Sequence, residues 1–314
     1  MARKLRLEYA DGLYHVINRG NYRRDVFESA GAVGSFEEAL AEAVLRHGWA
    51  LQAYVVMSNH YHLIVKTPEP NLSQGMHWLQ STVATRFNLY RSERGHMFQG
   101  RFQALPIEDH RVMGHVIDYV HLNPVRAKIV TPGEVGFYPW SSLNRFLQRG
   151  RFPGLDPKGA LEGRGWRDNE AGWTGYVQYL VELAGNLEEQ ARLGYDGFSS
   201  GWAIGSNDWR RALAKVWAST ELVSGLAASE AAALREVRWR TSLDDVLRRY
   251  GRTQEEAKAS RKTLEWKLRV ALAVREESGA AVSWLARELN LGTDASLRSL
   301  LSKLRHERTQ RYSA

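Results

Sequence analysis

Two histidines stand two positions apart in "SNHYHLIV" (58–65), inside an otherwise apolar run. On a β-strand, residues i and i+2 leave the same face, about 6.6–7 Å apart along the chain. His60 and His62 therefore project together while Tyr61 faces the other way. Two imidazoles so placed can chelate one divalent ion, although such pairs also occur by chance on strands that bind nothing. The stretch "HVIDYVHLNPV" (115–125) supplies a second set. His115, Tyr119 and Asn123 are spaced i, i+4, i+8, which aligns them along one face of a helix. The Asn123 amide oxygen can complete a His–His–amide metal site with the Tyr119 hydroxyl in reach. The competing reading makes Tyr119 a core residue and Asn123 a helix cap before Pro124.

Together these groups suggest a reaction. A phenol can act as a covalent nucleophile, but it titrates at about pH 10 and needs help at neutral pH. An ion held by His60, His62 and Asn123 would polarise a non-bridging phosphate oxygen. Two imidazoles and an amide oxygen, with positions left open, suit Mg²⁺ or Mn²⁺ better than zinc. His115 shares the face of Tyr119 and could relay its proton in a supporting role, the competing reading being a capped or packed histidine. His121, two residues on and about 200° around the helix, should face away.

The elements that must position these side chains alternate over the first ~130 residues. "LYHVINRG" (13–20) reads as a strand, and residues 32–48 as a helix closed by Gly48. Residues 50–57 and 60–67 read as strands joined by a tight Ser58–Asn59 turn. Residues 71–95 read as a helix entered near Asn71 or Ser73, 96–109 as a fourth strand, and 110–122 as a helix stopped by Pro124. The order β-α-β-β-α-β predicts an α+β fold with a ferredoxin-like antiparallel sheet, helices on one face and one extra helix.

With 314 residues there is room for two modest domains. The absence of cysteine excludes disulfides, thiolate metal sites and a cysteine nucleophile. No apolar run reaches the ~20 residues of a membrane span, and "MARKLRLEYADG" (1–12) carries no signal-like apolar stretch. A cytoplasmic, nucleoid-associated location with no membrane partner is expected. The net charge of +8 and a pI of about 9.7 point to a polyanionic partner. Residues 1–130 carry +3, 131–234 carry −2 and 235–314 carry +7, so most of the excess lies in the C-terminal quarter. The Gly- and Pro-rich stretch 148–165 is the linker candidate, and residues 166–230 hold five tryptophans. The expected organisation is an α+β domain carrying the histidine pair and Tyr119 at 1–147, a linker and Trp-rich helical region at 148–234, and a basic all-α domain at 235–314.

"RGNYRRDVF" (19–27), "MSNHYHLIVKTPEPNLSQGM" (57–76), "HMFQGRFQALPIED" (96–109) and "DYVHLNPVRAKIV" (118–130) follow one another at ordinary spacing. Over about residues 10–145 the chain resembles the REP-associated tyrosine transposases, which are single-tyrosine HUH endonucleases. The resemblance implies a ferredoxin-like nuclease that cuts single-stranded DNA at palindromic repeats and joins a tyrosine to the 5′-phosphate. It leaves a free 3′-hydroxyl and uses Mg²⁺ or Mn²⁺. By it, His60 and His62 are the HUH ligands, Tyr119 the nucleophile and Asn123 the third ligand position. Tyr61 fills the apolar slot between the histidines.

Around Gly20, the side chains of Arg19, Asn21, Arg23 and Arg24 can grip phosphates or read unpaired bases at a hairpin foot. Arg101, between Phe98 and Phe102, is a further candidate contact with single-stranded DNA. Residues 281–311 have the pattern of a helix-turn-helix. Val282, Leu285, Ala286 and Leu289 mark a first helix, 290–292 a turn, and Thr293 or Asp294 an N-cap. A second helix points Leu297, Leu300, Leu301 and Leu304 inward, leaving Ser296, Arg298, Ser299, Lys303 and Arg305 for DNA. From about residue 240 the chain is similar to the duplex-binding domain of the replication initiator DnaA. Thr293-Asp294-Ala295-Ser296 lacks that domain's usual histidine. The expected partner is therefore single-stranded and hairpin DNA, bound by a chain for which a monomer suffices. The alternatives are a rolling-circle initiator nuclease and a non-catalytic DNA-binding regulator.

Overall fold

The computed structural model describes residues 8–148, 150–219 and 228–311. The chain divides into two compact units, Met1–Trp209 and Arg210–Ala314.

The first unit begins with β1 (Gly12–Arg19), α1 (Ala30–His47), β2 (Ala50–Val56), β3 (His60–Thr67), α2 (Leu72–Arg91), β4 (Gln103–Pro106) and α3 (His110–His121). Local signals start and stop these elements. The Ser29 side chain accepts from Ala32 N at the head of α1, and Gly48 ends that helix in the left-handed region at φ 66°. Asp109 caps α3 by accepting from Val112 N at 2.8 Å. The strands form one sheet in the order β2-β3-β1-β4, each neighbouring pair antiparallel. This is the ferredoxin-like arrangement within a mixed α+β fold.

Alternation along β3 sends its side chains to two different environments. Tyr61 is fully buried among Phe27, Phe36 and Phe98. Its hydroxyl accepts from Gln80 of α2 at 2.8 Å. The opposite face, carrying His62, meets α3 through Tyr119. Helices thus cover both faces of the sheet, where one face was expected. The fourth strand is also shorter than 96–109. Phe98 makes a single bridge to Gly20, then Gly100 turns the chain at φ 67° before pairing resumes at Gln103.

Four further helices and α8 complete this unit: α4 (Asn123–Arg126), α5 (Ser142–Leu147), α6 (Lys158–Leu161), α7 (Glu170–Gly185) and α8 (Leu187–Arg192). The stretch 148–165 is not the expected linker: Leu155, Ala160 and Leu161 are packed in this unit's core, and the segment that follows to 209 joins them. Trp173, Tyr176, Leu180, Tyr195, Phe198 and Ile204 belong to the same hydrophobic core as the sheet. Its backbone also bonds to the sheet, Asp156 N to Leu51 O at 2.8 Å and Ile204 N to Pro106 O at 2.8 Å. The glycines that suggested a linker make tight turns in a packed chain, Gly154 at φ 86° and Gly165 at φ 72°.

The second unit holds most of α9 (Asn207–Ser219), then α10 (Ala228–Arg249), α11 (Gln254–Ala259), α12 (Glu265–Ser278), α13 (Val282–Glu288) and α14 (Asp294–Arg311). Leu243, Val246, Val270, Val274, Leu285, Leu289 and Leu297 form its core. The Lys267 side chain donates to the carbonyls of Ser260, Arg261 and Asn290, satisfying groups where helices α11 and α13 end. Between α13 and α14, Thr293 Oγ1 accepts from Ser296 N at 3.3 Å. Among the described residues no helix is long and apolar enough to cross a membrane.

Candidate active site

The register of β1 against β3 sets one wall of the site. Ile17 lies opposite His62 and Arg19 opposite His60. The period of two then places His15, Ile17 and Arg19 on the face shared by both histidines. His15 is completely buried and bonds at both nitrogens, Nδ1 to Phe198 O at 2.7 Å and Nε2 to His62 Nδ1 at 2.8 Å. The two rings stack at 5.0 Å. His60 bonds through Nδ1 to Asn59 Oδ1 at 2.8 Å, and its ring lies 5.1 Å from that of His62.

Tyr119 comes from the last turn of α3 and crosses the histidine cluster edge-on, 5.9 Å from His62 and 6.1 Å from His15. Tyr195 at 5.5 Å and Phe198 at 5.8 Å hold the ring from behind. Only 6% of Tyr119 is exposed, so its orientation is set by packing. A cavity of about 380 Å³ opens in front, lined by Ile17, Asn18, Arg19, His60, His62, Gln99, Arg101, Gln103, Tyr119, Asn123 and Ser199. The two spacings read from the sequence, His60/His62 and Tyr119/Asn123, thus meet in one cavity.

Electrostatics keep the imidazoles neutral. Burial and the nearby Arg19 push His60 down to about 4, and burial pushes His15 down to about 4. His62 falls well below its ordinary value through burial, His15, His60 and Arg19. Neutral imidazole is the ligand form. Among the described residues, Nε2 of His60 and of His62 has no hydrogen-bond partner, and the buried Asn123 Nδ2 has none either. Among the described residues no three His, Asp or Glu side chains are placed to hold one metal ion together, and Asn123 brings an amide to the same cavity. Two neutral imidazoles and the Asn123 side chain, all lining one open cavity, fit a divalent cation.

The other expected residues divide. Arg19 and Arg101 line the cavity and are exposed. Asn21 and Arg23 lie in the turn Asn21–Arg23 beside it, where Tyr22 and Arg23 adopt left-handed backbone at φ 53° and 60°. Arg24 is held in a bidentate pair with Glu93 at 2.7 and 2.8 Å. His115 does not line the cavity; its Nδ1 lies 4.0 Å from Asp118. His121 faces away as expected, bonding Tyr176 Oη and Ser142 Oγ at 2.8 Å each. Ser296, Arg298, Ser299 and Lys303 are exposed along α14, and the side chain of Arg305 lies outside the described residues.

Sequence reasoning missed His15, Asn59 and the 195–199 segment. His15 was legible once "LYHVINRG" was paired with β3, because it shares the face of His62. The 195–199 segment carries no local signal, since its role comes entirely from tertiary packing.

Residues 9–123 match the family described as transposase IS200 like. The chain is 27% identical over 103 residues to the REP-associated tyrosine transposase of Escherichia coli (strain K12), which covers 33% of this chain and 59% of that protein. The chain thus spans about three-fifths of the length of that curated relative. A solved structure of a REP-associated tyrosine transposase bound to a REP hairpin is similar over 49% of this chain and 90% of that one, with 22% identity and a TM-score of 0.40. A putative transposase from Deinococcus radiodurans is similar over 41% and 91%, with 20% identity and a TM-score of 0.28.

Proposed function

From residues 9–123 as a region similar to the IS200-like transposases, we propose that this protein is a divalent-metal-dependent endonuclease and strand transferase acting on single-stranded and hairpin DNA of the REP type. One observation carries the reading: His60, His62, Asn123 and Tyr119 converge on a single cavity rimmed by Arg19 and Arg101. A binding protein has no need of a phenol packed against two imidazoles.

His60, His62 and Asn123 would hold the cation, which when bound supplies Lewis-acid polarisation of a non-bridging phosphate oxygen. Arg19 and Arg101 neutralise phosphates entering the cavity and orient the backbone. The Tyr119 hydroxyl oxygen attacks phosphorus as its proton leaves for solvent. The bond from phosphorus to the 3′-oxygen of the preceding nucleotide breaks, and that oxygen takes up a proton. The 5′-phosphate stays on Tyr119. One phosphodiester replaces another, so a 3′-hydroxyl can reverse the step without outside energy. The Asn21, Arg23 and Arg24 turn contacts unpaired nucleotides at the hairpin foot. Ser296, Arg298, Ser299 and Lys303 contact the duplex stem, as does Arg305.

The test is incubation of the protein with labelled single-stranded hairpin DNA and Mn²⁺. An SDS-resistant protein–DNA adduct is expected from the wild type and none from Tyr119→Phe. An adduct with Tyr119→Phe would show another nucleophile, and no wild-type adduct on any REP-type hairpin would overturn the reading.

A further inference from the structure

A neutral imidazole offers a lone pair on one nitrogen only, and which one depends on the partner of the other. Both candidate ligands in this protein are wired to backbone carbonyls, and a carbonyl can only accept. The Phe198 carbonyl receives His15 Nδ1 at 2.7 Å, so that nitrogen carries the proton. His15 Nε2 then holds a lone pair, and its partner His62 Nδ1, at 2.8 Å, must donate to it. The remaining lone pair of His62 lies on Nε2, which has no hydrogen-bond partner among the described residues. The second chain of bonds has the same logic. Asn59 Nδ2 donates to the Arg23 carbonyl at 3.3 Å, which turns Asn59 Oδ1 toward His60. His60 Nδ1 must donate to that oxygen at 2.8 Å, leaving its lone pair on Nε2.

We infer that His15 and Asn59 are positioning residues: anchored by the Phe198 and Arg23 carbonyls, they fix His62 and His60 in the tautomer whose Nε2 lone pairs are free to bind a cation. The inference deepens the proposed function and rests on its reading of the two histidines as ligands. It also gives two segments a share in the site without a ligand from either. Phe198 lies beyond the 9–123 match, in the segment that packs behind Tyr119. Arg23 lies in the turn assigned above to DNA, so a shift of that turn would be felt at His60 through a single side chain.

Nitrogen-15 NMR of the metal-free, histidine-labelled protein reads the tautomers directly. The wild type should show His60 and His62 protonated at Nδ1 and bare at Nε2. His15→Ala should mix the two forms at His62, and Asn59→Ala should do so at His60. His15→Gln, which can still donate to the Phe198 carbonyl and accept from His62, should preserve the pattern. Titration with Mn²⁺ alone should then show about 10- to 100-fold weaker binding for the two alanine variants and near wild-type binding for His15→Gln. Protonation of either wild-type ligand at Nε2 overturns the inference. So does an unchanged pattern in both alanine variants. Should His15→Ala fail to fold, the wild-type spectrum and the partly exposed Asn59 variant still decide. The stated tautomers in a wild type that takes up no Mn²⁺ would uphold the wiring and overturn the metal reading instead.

Discussion

The Arg126 guanidinium lies over the Tyr119 ring, 5.2 Å from its centroid, and over Tyr195 at 5.6 Å. Its Nη1 donates to Gln190 Oε1 at 2.8 Å, so the cation is anchored from the far side by α8. Arg126 therefore ties the candidate nucleophile to the segment that follows the sheet. Such a contact contributes about 0.5–1 kcal/mol at an accessible site, and small displacements of a reacting group have larger effects on rate than on stability. Arg126→Ala should slow single-turnover adduct formation about tenfold while DNA affinity stays within about twofold. Arg126→Lys should fall between the two. Equal losses in affinity and rate would make Arg126 a DNA contact instead.

Behind Tyr119, α3 is anchored by a buried carboxylate. Asp118 is fully buried and accepts from Arg164 Nη2, from Tyr176 Oη at 3.0 Å and from Tyr179 Oη at 3.2 Å. Removing the cation would strand the carboxylate among tyrosines. Arg164→Ala should cost about 3 kcal/mol or more, lowering the melting temperature by about 6 °C or more.

The same carboxyl gives a pH signature. Burial raises Asp118 to about 6, against the downward pull of Arg164, Tyr176 and Tyr179. A folded-state value above the ordinary 3.8 means that the folded protein holds the proton more tightly. This contribution is fully present below pH 4 and is lost as pH rises through about 6. Asp118→Asn cannot titrate. The stability of the wild type relative to this variant should therefore fall between pH 4 and 6.5, by at most about 1.4 kcal/mol per pH unit. Chemical denaturation at stepped pH checks it; a difference that rises with pH would reverse the assignment.

The parts legible in the sequence were those that depend on local periodicity. His60 and His62 followed from a spacing of two, Tyr119 and Asn123 from a spacing of four, and Gly48 from its place at a helix end. What escaped depends on contacts between distant segments. His15 joins the site only because β1 runs antiparallel to β3 in one particular register. The turns at Gly154 and Gly165 resemble a linker locally, yet the chain between and after them fills the core with Trp173, Tyr176 and Tyr195. His115 shows the converse. Its spacing from Tyr119 was right, but one helix face is wide enough for His115 to sit by Asp118 and outside the cavity.

Tyr61 separates packing from chemistry inside the histidine motif. Its ring is buried on the face away from the cavity, and its hydroxyl accepts from Gln80. Tyr61→Phe should cost about 1 kcal/mol of stability through the lost bond, with adduct formation unchanged. A loss of adduct with stability intact would place the Tyr61 hydroxyl in the reaction.

Salt dependence tests the second unit. Each phosphate contact on duplex DNA contributes about 0.9 to the slope of log affinity against log salt. Arg298 and Lys303 are exposed on α14, five residues apart, and Arg298 lies five residues after the Thr293 cap. If each contacts one phosphate, Arg298→Ala and Lys303→Ala should each lower the slope on hairpin DNA by about 0.9, and the double variant by about 1.8. On a single strand with no stem, the same variants should leave the slope unchanged. That contrast is the decisive part, because loss of a diffuse positive field would lower the slope on both substrates. A contact with the duplex stem lowers it on the hairpin alone.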